Sequence, residues 1–597
     1  MTTMENDVPV LPVAESVSSP SKGEKADRPG RDTVESIVVA IILAFLFRGV
    51  VAEAFVIPTG SMAPTLQGRH MDVACPECGY QYRTGASIEN SELGGPRGEV
   101  VRTRCPICRF SRELDKDHDP NQRSFNGDRI LVSKFAYLVS EPKRWDVIVF
   151  KYPGDAKTPY IKRLVGLPGE TIQIRHGDVH TQVTGSSAGE PRFQIARKPP
   201  AQVVNMLQLV DDTAHVGERL RQAQWPSRWQ PAPGGRPSQR WQPISDPAAG
   251  VSPGQGFEVE AGSAISWLRY RHLIPRAVDW ERIERGETSQ LNGYQGQLIT
   301  DYYAYNDSNP YAETTDWGGQ CWVGDLAVEV DLRSTSGDGE LLLDLVEGGS
   351  HYRCTVRLAT GEAVLEIDGG RRGFAQGVGS GAAYANQRFG LTGVQPGQAC
   401  RLRFANVDDE LLLWVNDQVV KFDGPTTFES PREVVPRWSA HDPGDLAPVG
   451  VGARQARIEV ERLKVLRDVY YRAVGPVEPY KDSEYDRALI GYGFDVNAVM
   501  ANPASWSSTR LFAARRSVTF ELAEDQFFPL GDNSPESRDA RLWSEVSAEP
   551  GQMYPPPYVD RDLLIGRAVF IYWPHAWRWH TDWLPLIPNV GRMGRIL

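Results

Sequence analysis

Cysteine is scarce in this chain of 597 residues. Its seven cysteines stand at 75, 78, 105, 108, 321, 354 and 400. Four of them form two C-x-x-C pairs and three are scattered singly, which does not describe a disulfide framework. An excess of positive charge is also missing. Lys and Arg total 65 against 76 Asp and Glu, a net charge of −11, so no broad basic surface argues for a nucleic-acid partner. Long apolar runs are nearly absent. The exception is IVVAIILAFLF, from Ile37 to Phe47, which continues after Arg48 as GVVAEAFVI to Ile57. No second run is long enough to cross a bilayer. Turn-formers are plentiful: 56 Gly and 44 Pro favour a β-rich, loop-rich architecture over helix bundles. With 41% hydrophobic and 24% charged residues this is the composition of a folded protein, and the length suggests roughly three or four domains.

The apolar stretch predicts one transmembrane helix over residues 35–57, with Arg48 and Glu53 near the outer interface. Lys22, Lys25, Arg28 and Arg31 precede it, which puts the N-terminus in the cytoplasm and the body of the chain outside. Residues 1–34, polar and rich in Pro and Ser, are expected to be a disordered cytoplasmic tail. A cleaved signal peptide is the competing reading. The polar segment ahead of the run is long for that, and no good A-x-A site follows.

Beyond the apolar run stands Pro58-Thr59-Gly60-Ser61-Met62-Ala63-Pro64. A serine in a Gly/Pro-bounded turn has the exposed oxygen and nearby backbone donors that a nucleophile needs. By itself it is one loop hydroxyl among many. Lys162, in YIKRLVGLPGE, is flanked by apolar strand residues. Desolvation there would lower its pKa and allow it to act as a neutral base, although an edge-strand lysine on the surface fits the same residues. The loop GDNSPESRDAR, 531–541, is dense in side chains that can hold other groups in place.

Taken in order, PTGSMAPTL after an apolar run, NGDRILVSKFAY, YIKRLVGLPGE and GDNSPESRDAR resemble bacterial type I signal peptidases. The resemblance covers residues 40–66, 126–175 and 525–574, about a quarter of the chain. It implies a Ser-Lys dyad with Ser61 as nucleophile and Lys162 as general base, and no cofactor for catalysis. It further implies an oxyanion hole from the Ser61 N–H and the Thr59 hydroxyl, and Ser537 as the residue orienting the lysine. Asp539, Arg541 and Arg163 would form a supporting ion-pair network. Phe55, Ile57, Pro58, Tyr160 and Ile161 would line shallow pockets for small residues at −1 and −3 of exported preproteins, where size exclusion rejects larger side chains. Ala540 stands where a serine is often found in that family. The implied location is the bacterial inner membrane, single-pass, with the catalytic body on the periplasmic side and the lipid bilayer as a partner.

Two insertions interrupt the resemblance. Residues 69–124 carry Cys75-Pro76-Glu77-Cys78-Gly79 and Cys105-Pro106-Ile107-Cys108 with 26 residues between the pairs. That spacing suits a zinc ribbon in which four thiolates close a structural tetrahedral site; one or two disulfides are the rival, since the segment is expected outside the cytoplasm. The second insertion exceeds 340 residues. Residues 196–319 read as a linker and accessory β region, with a Pro/Gly/Ser/Gln-rich stretch at 223–256 that looks like a long exposed loop. Residues 320–467 hold many short alternating strands, the pattern of an antiparallel β-sandwich. Within them RLRFANVDDELLLWVNDQVVKF resembles laminin-G or concanavalin-like jelly rolls, which implies glycan or protein binding or a purely architectural insert. Residues 468–514 return the chain to its start, and the discontinuous catalytic domain comprises 58–68, 125–195 and 515–585.

The expected fold is thus mainly β. A membrane-tethered binding protein on a decayed peptidase frame is the alternative function; joint retention of Ser61, Lys162, Ser537 and Asp539 argues against decay. Four tryptophans at 573, 577, 579 and 583 read either as a membrane-interface patch or as packing between domains.

Overall fold

A computed structural model describes residues 29–46, 52–90, 98–119, 122–183, 191–233, 236–246, 251–287, 294–306, 319–375, 384–475, 483–491, 493–543, 555–575 and 589–597. Residues 1–28, and Trp577, Trp579 and Trp583, lie outside them. The chain falls into two units, Met1–Ala52 and Glu53–Leu597.

The first unit contains one helix, α1 (Pro29–Leu46). The helix expected over 35–57 is corrected on two counts. None of the described helices is long and apolar enough to cross a membrane. Residues 52–56 form a strand, β1 (Ala52–Val56). The reason is local: Glu53 ion-pairs with Lys134 at 2.9 Å, and the Ile57 N–H donates to the Asp128 carbonyl at 2.9 Å. Both contacts hold the segment extended against its sheet.

The second unit opens with two hairpins, β2 (His70–Ala74) with β3 (Gln81–Gly85) and β4 (Arg102–Arg104) with β5 (Ser111–Glu113). The next sheet follows from β6 (Arg129–Ser133), β7 (Val147–Tyr152) and β8 (Asp155–Gly166). Its main order is β1, β6, Leu564–Trp573, β7, β8, Gln526–Leu530, Val559–Asp560. The unbroken apolar run VIVF in β7 exists because both faces are covered. Ile148 and Phe150 join one apolar cluster with Leu164 and Trp543, while Val147 and Val149 join another with Ile57, Met62 and Ile130. A period of two along a strand sends alternate residues to opposite faces. A smaller sheet, with β9 (Thr171–Arg175), β10 (Asp178–Gln182), Phe193–Ile195 and Ser517–Glu521, stands beside it.

The sandwich is larger than the sequence suggests. One sheet joins Gln242–Asp246, Val251–Glu260, Arg457–Arg467, Leu326–Ser336, Cys400–Val407, Glu410–Val415 and Gln418–Val419. The facing sheet runs from Trp229–Pro231 and Ser266–Tyr270 through Val449–Arg454 and Glu340–Glu347 to Gln387–Leu391. Val328, Val330 and Leu332 of the first meet Leu341, Leu343 and Leu345 of the second in a common core. Strands before residue 320 therefore belong to both sheets, and the expected 320–467 boundary moves back to Gln208. The stretch 223–256, read as an exposed loop, contributes Trp229 and Trp241 to that core at 3% and 1% exposure. Pro231 ends its strand and Pro237 opens a 3₁₀ turn, where a missing N–H costs little.

The two insertions are joined. Leu220 and Trp280 from the second enter the core of the cysteine-bearing hairpins beside Met71, Val73 and Tyr82. The Trp280 Nε1–H donates to the Cys108 carbonyl at 3.0 Å. A small module with little core of its own is thereby buried against a larger one.

Candidate active site and cysteine cluster

The segment Gly60–Met62 is a single 3₁₀ turn, closed by the Ala63 N–H donating to the Gly60 carbonyl at 3.0 Å. Gly60 and Gly531 let other elements approach it. A Cβ on Gly60 would lie 2.3 Å from the Tyr305 ring, and one on Gly531 would lie 2.1 Å from Ser537 Oγ and 2.5 Å from the Ser61 carbonyl. Asp128 fixes the far side of the turn: its carboxylate accepts from the Gln67 N–H at 2.7 Å and from Arg592 at 2.8 Å.

Strand β8 carries Lys162 under this turn. Its Nζ stands 2.6 Å from Ser61 Oγ, although the two residues are 101 positions apart. Lys162 is 3% exposed. Burial pushes its pKa down to about 8; the more distant Asp539 and Asp532 oppose that fall and Arg541 adds to it. An amine so placed has a substantial neutral fraction near neutrality and can take the serine proton.

The supporting charges form two separate pairs. Arg163 grips Asp532 through Nε and Nη2, both at 2.8 Å, and Arg541 grips Asp539 through Nε and Nη2, also both at 2.8 Å. All four are buried. Asp532 then accepts from Thr65 Oγ1 at 2.5 Å, and Asp539 accepts from the Gly531 N–H at 3.0 Å. The single network expected among Asp539, Arg541 and Arg163 is thus corrected: Arg163 has its own carboxylate. Asn533 ties the loop to the serine turn, with its N–H donating to the Ser61 carbonyl and its Nδ2 to the Gly60 carbonyl, both at 3.0 Å. Asp128, Asp532 and Asn533 were missed as site residues, though all three lie inside quoted motifs. The signal available was pairing: a buried arginine after Lys162 requires a carboxylate.

Ser537 lies against Gly531 and is 2% exposed, but among the described residues its Oγ has no hydrogen-bond partner. The expected bond from Ser537 to the lysine is therefore not formed. Phe55, Ile57 and Ile161 come together beside Met62. Pro58 accepts from the Arg69 N–H at 3.3 Å. Tyr160 departs from that group; it stacks on Tyr152 at 4.6 Å, with its ring 5.7 Å from Lys162 Nζ. Thr59 precedes the serine turn in extended backbone, and its side chain makes no cap bond to it.

The four sulfurs of Cys75, Cys78, Cys105 and Cys108 lie within 4.8 Å of one another. Cys75 and Cys108 are 3.5 Å apart, and Cys78 and Cys105 3.6 Å. A tetrahedral metal with Zn–S bonds of about 2.3 Å requires sulfurs about 3.8 Å apart, so this donor set fits. Four sulfurs from two knuckles drawn together in one cluster are also what one shared centre would produce. Two other groups could hold a cation by proximity: His70, Asp72 and His575, and Asp178, Asp325 and Asp408. In the second, Asp408 is already engaged by the Lys198 ammonium at 2.6 Å.

A buried lysine on a serine oxygen, braced by two arginine–carboxylate pairs, defines the class of site: a serine–lysine dyad. Comparison with known proteins narrows this. Residues 115–220, which include Lys162, match the family described as Signal peptidase, peptidase S26. Signal peptidase I of Rickettsia bellii (strain OSU 85-389) is 26% identical over 140 residues, 24% of this chain and 35% of the relative. That of Pseudomonas fluorescens is 41% identical over 76 residues, 11% of this chain and 26% of the relative. The chain therefore spans about a third or less of the length of these relatives. Among solved structures, the carbohydrate binding module CBM66 from Bacillus subtilis overlaps 40% of this chain and 93% of its own at 10% identity and a TM-score of 0.18. Sheep galectin-11 overlaps 24% and 90% at 13% identity and a TM-score of 0.16.

Proposed function

We propose that this protein is a serine endopeptidase that removes N-terminal signal peptides from exported preproteins, cleaving after small residues. The observation that carries the reading is the 2.6 Å approach of a fully buried Lys162 Nζ to Ser61 Oγ. Ser61 Oγ attacks the scissile carbonyl as Lys162 takes its proton. The developing oxyanion is met by the Ser61 N–H and the Thr59 hydroxyl, and the proton passes to the leaving amine. Lys162 then draws a proton from water, which hydrolyses the acyl-enzyme. Phe55, Ile57 and Ile161 supply an apolar wall against which only small side chains fit. Helix α1, with Ile37, Val38, Val39 and Ile41 each about half exposed, supports association with a bacterial cytoplasmic membrane.

The cysteine cluster is proposed to hold a structural zinc through Cys75, Cys78, Cys105 and Cys108. Four thiolates leave no open ligand position, so the metal would hold the two hairpins together and take no part in hydrolysis. Metal analysis of the purified chain under non-reducing conditions should give one zinc per chain; two disulfides with no metal would refute it.

The activity is tested with a detergent-solubilised preprotein bearing an A-x-A site. Wild type should release a product cut after the second alanine, and Ser61→Ala should not. Cleavage that survives in Ser61→Ala would overturn the reading.

A further inference from the structure

A cavity of ≈430 Å³ lies where the cysteine hairpins, the sandwich strand Gln208–Asp212 and the segment before residue 306 meet. Four arginines line it, Arg83, Arg109, Arg467 and Arg592, and none of its lining residues is an aspartate or glutamate. Two of the four have carboxylates elsewhere: Arg83 reaches Asp72 at 3.1 Å and Arg592 reaches Asp128 at 2.8 Å. Among the described residues the other two form no ion pair. Arg467, 4% exposed, donates only to oxygens of neutral groups: the Gln208 side chain and the carbonyls of Asp468, Asp301 and Tyr302. Arg109, 9% exposed, stacks on the Tyr302 ring at 3.3 Å, and its buried Nε has no hydrogen-bond partner among the described residues. Nη1 of Arg592 is likewise buried without one. Two buried guanidiniums with no carboxylate at ion-pair distance among the described residues are an unfavourable arrangement beside an empty cavity.

The backbone makes a second, independent point. The two cysteine knuckles are alike, and each places the residue after its second cysteine in the left-handed region. In the first that residue is Gly79, at φ 70°; in the second it is Arg109, at φ 60°. Glycine suits this position without cost, and arginine does not. An arginine held there, with its guanidinium turned into an acid-free cavity, follows the pattern of backbone strain retained for function.

We propose that this cavity binds a phosphate monoester, its phosphate held between Arg109, Arg467 and the free edge of Arg592 and its organic body against Tyr302 and the neighbouring tyrosines. Arginine forks match phosphate oxygens in pairs, and the volume admits a body of sugar or nucleoside size. Pro64 and Gln67, from the turn that follows Ser61, line the same cavity, so an occupant touches the segment that carries the nucleophile.

The test uses the full chain in detergent micelles and isothermal calorimetry with inorganic phosphate, adenosine monophosphate and sulfate. Vesicles of phosphatidylcholine with and without phosphatidic acid distinguish a lipid phosphate from a soluble one. The expected result is saturable binding of a soluble monoester or of phosphatidic acid, at least tenfold weaker in Arg109→Gly. Because Arg109→Gly copies the first knuckle, its zinc content and its melting temperature without ligand should equal or exceed wild type. If that variant loses zinc, Arg592→Gln, which removes the unpartnered Nη1 donor, replaces it with the same expected weakening. No saturable binding of any phosphate probe, equal binding of sulfate, or binding that is unchanged in the variant would each overturn the proposal.

Discussion

Two lysines of this chain are buried to the same degree and behave in opposite ways. Lys162 and Lys198 are each 3% exposed. Lys162 faces a serine hydroxyl, and burial takes its pKa down to about 8. Lys198 sits between Asp408 at 2.6 Å and Asp468 at 2.8 Å; burial lowers its pKa too, but those carboxylates outweigh it and hold it well above the ordinary value. Desolvation is common to both, so it is not what makes a base. The deciding difference is the distance of the nearest carboxylate. Around Lys162, Asp532 and Asp539 are each already engaged by an arginine. Among the described residues Asp408 and Asp468, just past two sandwich strands, have Lys198 as their ion-pair partner, and the ammonium itself is the counter-ion.

Replacing each lysine by methionine should therefore move activity and stability in opposite directions. Lys162→Met should lower kcat/KM on a preprotein by about 10³–10⁴-fold or more, the scale of losing a member of a catalytic constellation. It should also raise stability at neutral pH. A lysine whose pKa falls from 10.5 to about 8 on folding carries a penalty of roughly 3 kcal/mol at 1.36 kcal/mol per unit. Denaturant melts of the pure variant check this; a destabilised Lys162→Met would mean that the lysine is held charged like its counterpart. Lys198→Met should leave kcat/KM of the folded protein within about threefold of wild type. It should cost about 3–5 kcal/mol, because Asp408 and Asp468 lose their buried counter-ion. Loss of activity without loss of stability would break the comparison.

The pH dependence sharpens it. In the proposed mechanism the form of Lys162 that acts is the neutral one, so kcat/KM should fall about tenfold per pH unit below about pH 8 and level off above it. Lys198 has a raised folded pKa. Its contribution to stability is fully present below the unfolded value near 10.5 and is lost only as pH rises through the folded one. Between pH 6 and 8 the rate should therefore change steeply, while the contribution of Lys198, measured as the stability difference between wild type and Lys198→Met, stays flat. A flat rate would exclude a lysine base.

The sequence could show one of these lysines and not the other. Lys162 is legible because it lies in a recognisable box, with Ser61 and the Gly531–Arg541 loop in the expected order. Lys198, in ARKPP, has no local pattern, since its partners are 210 positions and more away. The cysteine cluster was legible for a similar reason: paired spacing is local. Sandwich strands after residue 320 showed as alternation, but those around Trp229 and Trp241 did not, because proline and glycine at their ends mask a short buried strand. β1 was hidden inside an apolar run, where only Glu53 and its partner Lys134, just past β6, distinguish a strand from a helix.

Ser537 is where the sequence expectation and the geometry disagree, and the smallest predicted effect separates them. If Ser537 orients the lysine, Ser537→Ala should lower kcat/KM by about 10²-fold or more and shift the pH midpoint, because the ammonium loses an acceptor. The geometry gives Oγ no partner and presses it on Gly531. Removing a buried, unbonded hydroxyl is then neutral or stabilising by up to about 1 kcal/mol, and kcat/KM should change by less than about tenfold with an unmoved midpoint. The Lys162–Ser61 contact at 2.6 Å would in that case need no third residue to hold it. The brace would instead be the ion pair from Arg163, next to Lys162 on β8, to Asp532 of the Gly531–Arg541 loop, which keeps β8 in register under the serine turn.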